Sequence, residues 1–208
     1  MHDSYQNDGG KPSHSRLFEV ASEQSGYFTA AQAQACGISK ALLAHHAKSG
    51  RFLRVHRGLY RFREYPSSPL EDVIAAWLAS AKEVVVVSHE SALDILGLSD
   101  VVPEKVHITV PRVKRYRSAS PGVAIHTTTR RLGKSDVMVR DGIRVTGPVR
   151  SIVDAAEMGT APEQIIAAVS QALDRGIATK SSLLAAAKAR GGRVERLVRQ
   201  VIEERHRK

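Results

Sequence analysis

Several short stretches hold residue types that enzymes use, and their spacing decides what chemistry they could do. Ser88, His89 and Asp94 supply the types of a nucleophilic triad. Adjacent side chains diverge around a helix start, so no triad geometry is expected of Ser88 and His89, and Ser88 reads better as a helix N-cap. His89 and Glu90 begin a zinc-protease-like string, but Leu93 stands where that string needs a second histidine. Gly133-Lys134-Ser135 copies the end of a P-loop whose first glycine would fall at position 128, and Thr128 is there. His107 and His126 fall on separate strand candidates and could approach each other; they read as sheet-surface histidines rather than metal ligands. Cys36 is the sole cysteine, which excludes an intrachain disulfide and a cysteine-based zinc cluster. Its small neighbours suggest a buried residue. No catalytic residue, metal ligand or cofactor is assigned on this reading.

What the sequence does supply is positive charge. Lys and Arg number 31 against 21 acids, a net charge of +10, which favours a polyanionic partner such as nucleic acid or an acidic membrane surface. The 42% hydrophobic content is that of an ordinary globular protein. No apolar run approaches the roughly 18 residues of a membrane span. The polar stretch 1–12 lacks the apolar centre of a secretory signal, so a cytoplasmic location is expected. The charge is also unevenly placed. No acid lies between Glu23 and Glu64, whereas Lys40, Lys48, Arg51, Arg54, Arg57, Arg61 and Arg63 do. A second acid-free span, between Glu104 and Asp136, holds Arg112, Lys114, Arg115, Arg117, Arg130 and Arg131. It reads either as a flexible basic loop between strands or as a second surface for a polyanion or an acidic protein face.

The elements that must position these cations follow from periodicity and punctuation. Residues 1–12, with Gly9, Gly10 and Pro12, form a loose tail. Leu17, Phe18, Val20 and Ala21 lie on one side of a first helix that stops at Gly26. Thr29 caps a short helix over 30–36, and Ser39 caps a third over 40–49. Strands at 52–55 and 59–62 flank the tight turn His56-Arg57-Gly58. Helix, short helix, turn, helix and two-stranded wing are the order of a winged helix-turn-helix over 13–65. On its third helix Leu43 and Ala47 face the core, leaving Lys40, Ala41, Ala44, His45 and Lys48 outward. Thr29, Ser39, Lys40, Ala41, Ala44, His45, Lys48, Arg51, Arg54, Arg57 and Arg61 are the expected DNA-facing residues. Small Ala41 and Ala44 permit close approach to base edges, and the wing arginines suit phosphates or the minor groove. With no Asn, Gln or Arg on that helix, phosphate contacts should carry much of the affinity. A second domain is expected over 68–208. It begins with a helix over 69–82, continues through strands near 84–87, 106–110, 123–128, 137–140 and 143–146, and ends in helices from Pro148 on. The fold class is α+β: an N-terminal winged helix-turn-helix followed by a mixed α/β domain with a helical C-terminal end.

These stretches resemble a known family. Gly26-Tyr27-Phe28-Thr29-Ala30-Ala31-Gln32-Ala33, Gly37-Ile38-Ser39, Gly50-Arg51-Phe52 and Arg57-Gly58-Leu59-Tyr60-Arg61 resemble the N-terminal domain of AbiEi antitoxins of type IV toxin–antitoxin systems. Val87-Ser88-His89-Glu90-Ser91-Ala92-Leu93, Val106-His107-Ile108-Thr109-Val110-Pro111 and Arg140-Asp141-Gly142-Ile143-Arg144-Val145-Thr146 extend the resemblance, which spans roughly 14–200. One departure is His46, which stands where a larger apolar residue is expected. The resemblance implies an antitoxin that represses its own operon through double-stranded operator DNA and neutralises a nucleotidyltransferase-like toxin. A homodimer on DNA would match the symmetry of operators. Two alternatives stay open. The C-terminal region could modify the toxin as an atypical serine protein kinase using ATP and magnesium, although neither a Gly-rich loop nor a His-Arg-Asp string is present. The chain could also be a stand-alone transcriptional regulator.

Overall fold

Hydroxyl side chains start the helices of the N-terminal half. The structure is a computed structural model describing residues 12–80, 85–112, 121–129 and 132–205. It divides into two units, Met1–Ala79 and Ser80–Lys208. In the first, Ser13 accepts from the Arg16 N–H and opens α1 (His14–Ser22). Thr29 and Gln32 form a reciprocal capping box on α2 (Ala30–Ala35), and Ser39 accepts from the Leu42 N–H at the start of α3 (Lys40–Lys48). Such caps contribute about 1 kcal/mol each, which matters for helices this short.

Strands β2 (Phe52–His56) and β3 (Leu59–Phe62) form the expected antiparallel wing. Gly58 supplies the left-handed φ of +80° in its turn. A further strand, β1 (Tyr27–Thr29), pairs with the other edge of β3. Three residues are too few to show alternation, and Thr29 had already read as a cap. Leu17, Phe28, Ile38, Leu43 and Phe52 fill the core between helices and sheet, with the Phe28 ring centred 5.0 Å from Phe52. Cys36 is buried there, as its neighbours suggested. Phe18 is not on the buried side of α1: it is 49% exposed and sits edge-on to Phe62. His46 is half-buried, 5.1 Å from the Phe52 ring and 4.8 Å from His14. Burial holds the pKa of both histidines below the usual 6.5, helped by Arg51.

Helix α4 (Glu71–Ala79) corrects the expected domain division. It was expected to open the second domain and instead belongs to the first unit. Glu71 accepts from Arg61 on β3 at 2.8 Å and from the Tyr27 hydroxyl at 3.5 Å.

The second unit is built on a mixed sheet with strand order β6-β5-β4-β8-β7. Its strands are β4 (Val86–Val87), β5 (Val106–Pro111), β6 (Val123–Thr128), β7 (Val137–Arg140) and β8 (Ile143–Thr146). The β4–β8 and β5–β6 pairs are parallel, and the β4–β5 and β7–β8 pairs antiparallel. Asp141 (φ 50°) and Gly142 (φ 75°) make the β7–β8 turn with both central residues left-handed, as an Asp-Gly hairpin requires. Helix α5 (His89–Ile95) follows β4 and packs on β5 and on α6 (Pro148–Met158). Proline opens α6, and Gly159 at φ 107° closes it. The helices α7 (Pro162–Asp174), α8 (Lys180–Arg190) and α9 (Gly192–Glu204) complete the helical end. Leu183, Val194, Val198 and Val201 are buried in it, and Leu184 and Leu197 are half-buried. No helix among the described residues is long and apolar enough to cross a membrane.

Candidate functional site

The candidate recognition surface of the first unit is set by the period of α3. Leu43 is 2% exposed and anchors the helix, while Lys40, Ala41, Ala44, His45 and Lys48 are all exposed on the opposite arc. The cap at Ser39 ties the hydroxyl to the Leu42 N–H, so this side chain fixes the helix start. Thr29 does the same for α2 through the Gln32 N–H and is only half exposed. Arg51, Arg54 and Arg57 are exposed on and around the wing. The arrangement is a helix with small and cationic side chains beside a cationic hairpin, with no carboxylate from residue 24 to 63.

Arg61 does not belong to this surface. It was expected to face DNA, but it is 7% exposed and turned inward. One terminal nitrogen donates to the Tyr65 carbonyl (2.9 Å), the Pro66 carbonyl (3.0 Å) and Glu71 Oε1 (2.8 Å). Its guanidinium carbon lies 5.6 Å from the centre of the Tyr27 ring. Strand alternation puts Arg61 on the same face as buried Leu59, and Glu71 from α4 supplies the countercharge there. Of the second basic span, Arg112 is exposed at the end of β5, its N–H donating to the Thr128 carbonyl. Lys114, Arg115, Arg117, Arg130 and Arg131 lie outside the described residues.

The second unit contains a polar pocket of about 380 Å³, lined by residues of β5, β6, α5, α6 and α8. Ser88 occupies the N-cap position of α5, as expected, but it does not diverge from His89. Its side chain makes no cap bond, and the Ser88 hydroxyl lies 2.9 Å from His89 Nδ1. The reason is backbone conformation: His89 has φ 54°, a left-handed value that swings the ring back over Ser88. Thr109 in turn donates to Ser88 Oγ at 2.7 Å. The His89 ring stacks on His126 at 3.7 Å, and His126 Nε2 lies 2.9 Å from His107 Nδ1. The parallel β5–β6 register makes this last pair possible by placing Thr109 opposite His126. Burial, reinforced by the neighbouring rings, pushes His89 down to about 2 and His126 to about 4, so both are neutral at pH 7. Beyond them Glu90 accepts from the Thr160 hydroxyl at 2.7 Å and stands 3.9 Å from His107 Nε2. On the α6 side, Asp154 (3% exposed side chain) binds Arg150 Nε at 2.7 Å and also Arg190, whose other arm binds Glu157. No group of three or more His, Cys, Asp or Glu side chains among the described residues is arranged to hold a metal ion.

Two family models cover most of the chain. One, described as transcriptional regulator, AbiEi antitoxin, matches residues 15–63; the other, described as AbiEi antitoxin C-terminal domain, matches residues 84–204. The chain belongs to the AbiEi antitoxin family.

The fold is shared with the RV2827C protein from Mycobacterium tuberculosis, known from a crystal structure, at a TM-score of 0.60 and 17% identity, covering 91% of this chain and 75% of that one. No curated protein matches the sequence. This AbiEi-family chain therefore pairs a transcriptional-regulator domain, the winged helix-turn-helix, with an antitoxin domain. The AbiEi C-terminal match contains the entire polar pocket. Sequence reasoning gave no role to Arg150, Asp154 and Glu157, which lie on one helix, or to Arg190 on another. Their i, i+4 and i, i+3 spacing on α6 was visible, but the meeting with Arg190 needed α8 to fold back.

Proposed function

We propose that this AbiEi antitoxin represses its own operon by seating α3 in the major groove of operator DNA, and that its second unit neutralises a nucleotidyltransferase-like toxin of a type IV system. The observation that carries the DNA half is the exposed arc of α3 flanked by exposed wing arginines. Lys40, Lys48, Arg51, Arg54 and Arg57 contact phosphates or the minor-groove edge. Ala41, Ala44 and His45 lie against base edges, while Thr29 and Ser39 hold the two helices in place. Paired half-sites would be read by two copies of the chain.

Fluorescence anisotropy with duplexes from the region upstream of the gene tests this reading. Affinity should fall steeply with salt. Arg57→Ala should weaken all duplexes alike and lower the logarithmic salt slope by about 1. Loss of preference at a single base pair would instead make Arg57 a base reader. The toxin half rests on family membership. Its test is growth rescue when the chain is co-expressed with a neighbouring nucleotidyltransferase-like gene, and continued toxicity would refute it.

A further inference from the structure

The polar pocket of the second unit has features that neither DNA binding nor the antitoxin role accounts for. Its charges are not a bare cation cluster. Arg150 and Arg190 are matched by Asp154 and Glu157, and Asp154 orients both guanidiniums. Asp154 takes only the Nε of Arg150. Among the described residues the two terminal nitrogens of Arg150 have no hydrogen-bond partner, although the side chain is only 12% exposed and lines the pocket. A guanidinium held by its Nε with its outer edge free is a preorganised receptor for an oxyanion.

The opposite wall supplies another donor. Thr109 donates to Ser88 Oγ, which leaves the Ser88 proton free to bond His89 Nδ1. In the neutral ring the hydrogen then sits on Nε2, which has no partner among the described residues. His89 holds this placement with a left-handed backbone, and such strain tends to survive where a site needs it. A carboxylate paired with the outer edge of Arg150 turns both its oxygens to that side, whereas a tetrahedral oxyanion keeps a further oxygen for His89. Ile125 and Met158 add apolar lining, and the volume exceeds the needs of a phosphate alone.

We propose that this pocket binds an organic phosphate monoester, with the phosphoryl oxygens on Arg150 and His89 Nε2 and the organic body against Ile125 and Met158. Asp154 is a positioning residue that holds Arg150. The proposal does not depend on the DNA or the toxin reading.

Calorimetric titration of the full chain with phenyl phosphate tests it, with inorganic phosphate, benzoate and benzyl alcohol as comparators. Phenyl phosphate should bind more tightly than any of the three. Arg150→Gln should weaken it about tenfold or more, and Arg199→Ala, an exposed cation on α9, should leave it unchanged. Benzoate or benzyl alcohol binding as well as phenyl phosphate overturns the proposal, as does an unaffected Arg150→Gln or no binding at all. Should Arg150→Gln fail to fold, amide and imidazole NMR shifts of the unaltered protein decide. Perturbation of His89, His126 and Thr127 supports the site, and perturbation confined to residues 39–57 places the phosphate on the DNA surface and refutes it.

Discussion

Arg57 and Arg61 stand four residues apart on one hairpin and have opposite environments. Arg57 is at the turn in solvent, whereas Arg61 is buried against two carbonyls and Glu71. Removing a buried, hydrogen-bonded cation strands its partners, so Arg61→Ala should destabilise the first unit by about 3 kcal/mol, lowering its melting temperature by roughly 10 °C or more. The salt slope for DNA, measured well below that temperature, should not change, because Arg61 neutralises no phosphate. A slope reduced as far as in Arg57→Ala would return Arg61 to the interface. The two arginines look alike in the sequence. Strand alternation hinted at the difference, but only Glu71, supplied by a helix ten residues later, makes burial of Arg61 tolerable.

At the level of elements, turns and caps were legible because their chemistry is local. Ser39, Thr29, Gly58 and Asp141-Gly142 each act through backbone within a few residues. Gly26 combines a local and a distant constraint. Its φ is +82°, and an added Cβ would lie 2.4 Å from Tyr65 Cγ. That part of the ring cannot move aside, since the Tyr65 hydroxyl is bonded to the Ser22 carbonyl at 3.1 Å. Gly26→Ala should therefore cost about 2–3 kcal/mol, readable in chemical denaturation; a neutral effect would show that the α1–β1 connection is looser than described. Helix α4 carries a related expectation. A fragment ending at residue 65 lacks Glu71 and should melt well below one ending at residue 79. Equal melting temperatures would mean that α4 contributes nothing to the first unit. Pro66 and Pro69 punctuate the chain before this helix, but an ion pair between elements overrides such punctuation.

For the whole molecule, the buried and half-buried histidines weaken the fold in acid. His14, His46, His89, His107 and His126 all have pKa values lowered chiefly by burial, His126 to about 4 and His89 to about 2. The unfolded chain takes up protons near 6.5, while in the folded chain these groups take them up at lower pH. Below 6.5 the unfolded state binds more protons, so stability falls as pH drops through 6.5 toward about 4 and continues to fall toward about 2. Urea denaturation at pH 7.5 and pH 5 should show a lower midpoint at pH 5; a higher one would mean that the histidines gain partners on protonation.

The sequence by itself determined the winged helix-turn-helix, the outward arc of α3, the Asp-Gly hairpin and the helical end, because period, capping and turn geometry are properties of neighbouring residues. It also determined the acid-free run from residue 24 to 63 that carries the cations of α3 and the wing. Tertiary structure alone decided that Arg61 is internal, that α4 completes the first unit, and that Ser88, His89, His107, His126, Arg150 and Arg190 share one region. Those outcomes depend on which distant charges and rings supply partners for groups leaving water, and sequence spacing does not encode that proximity.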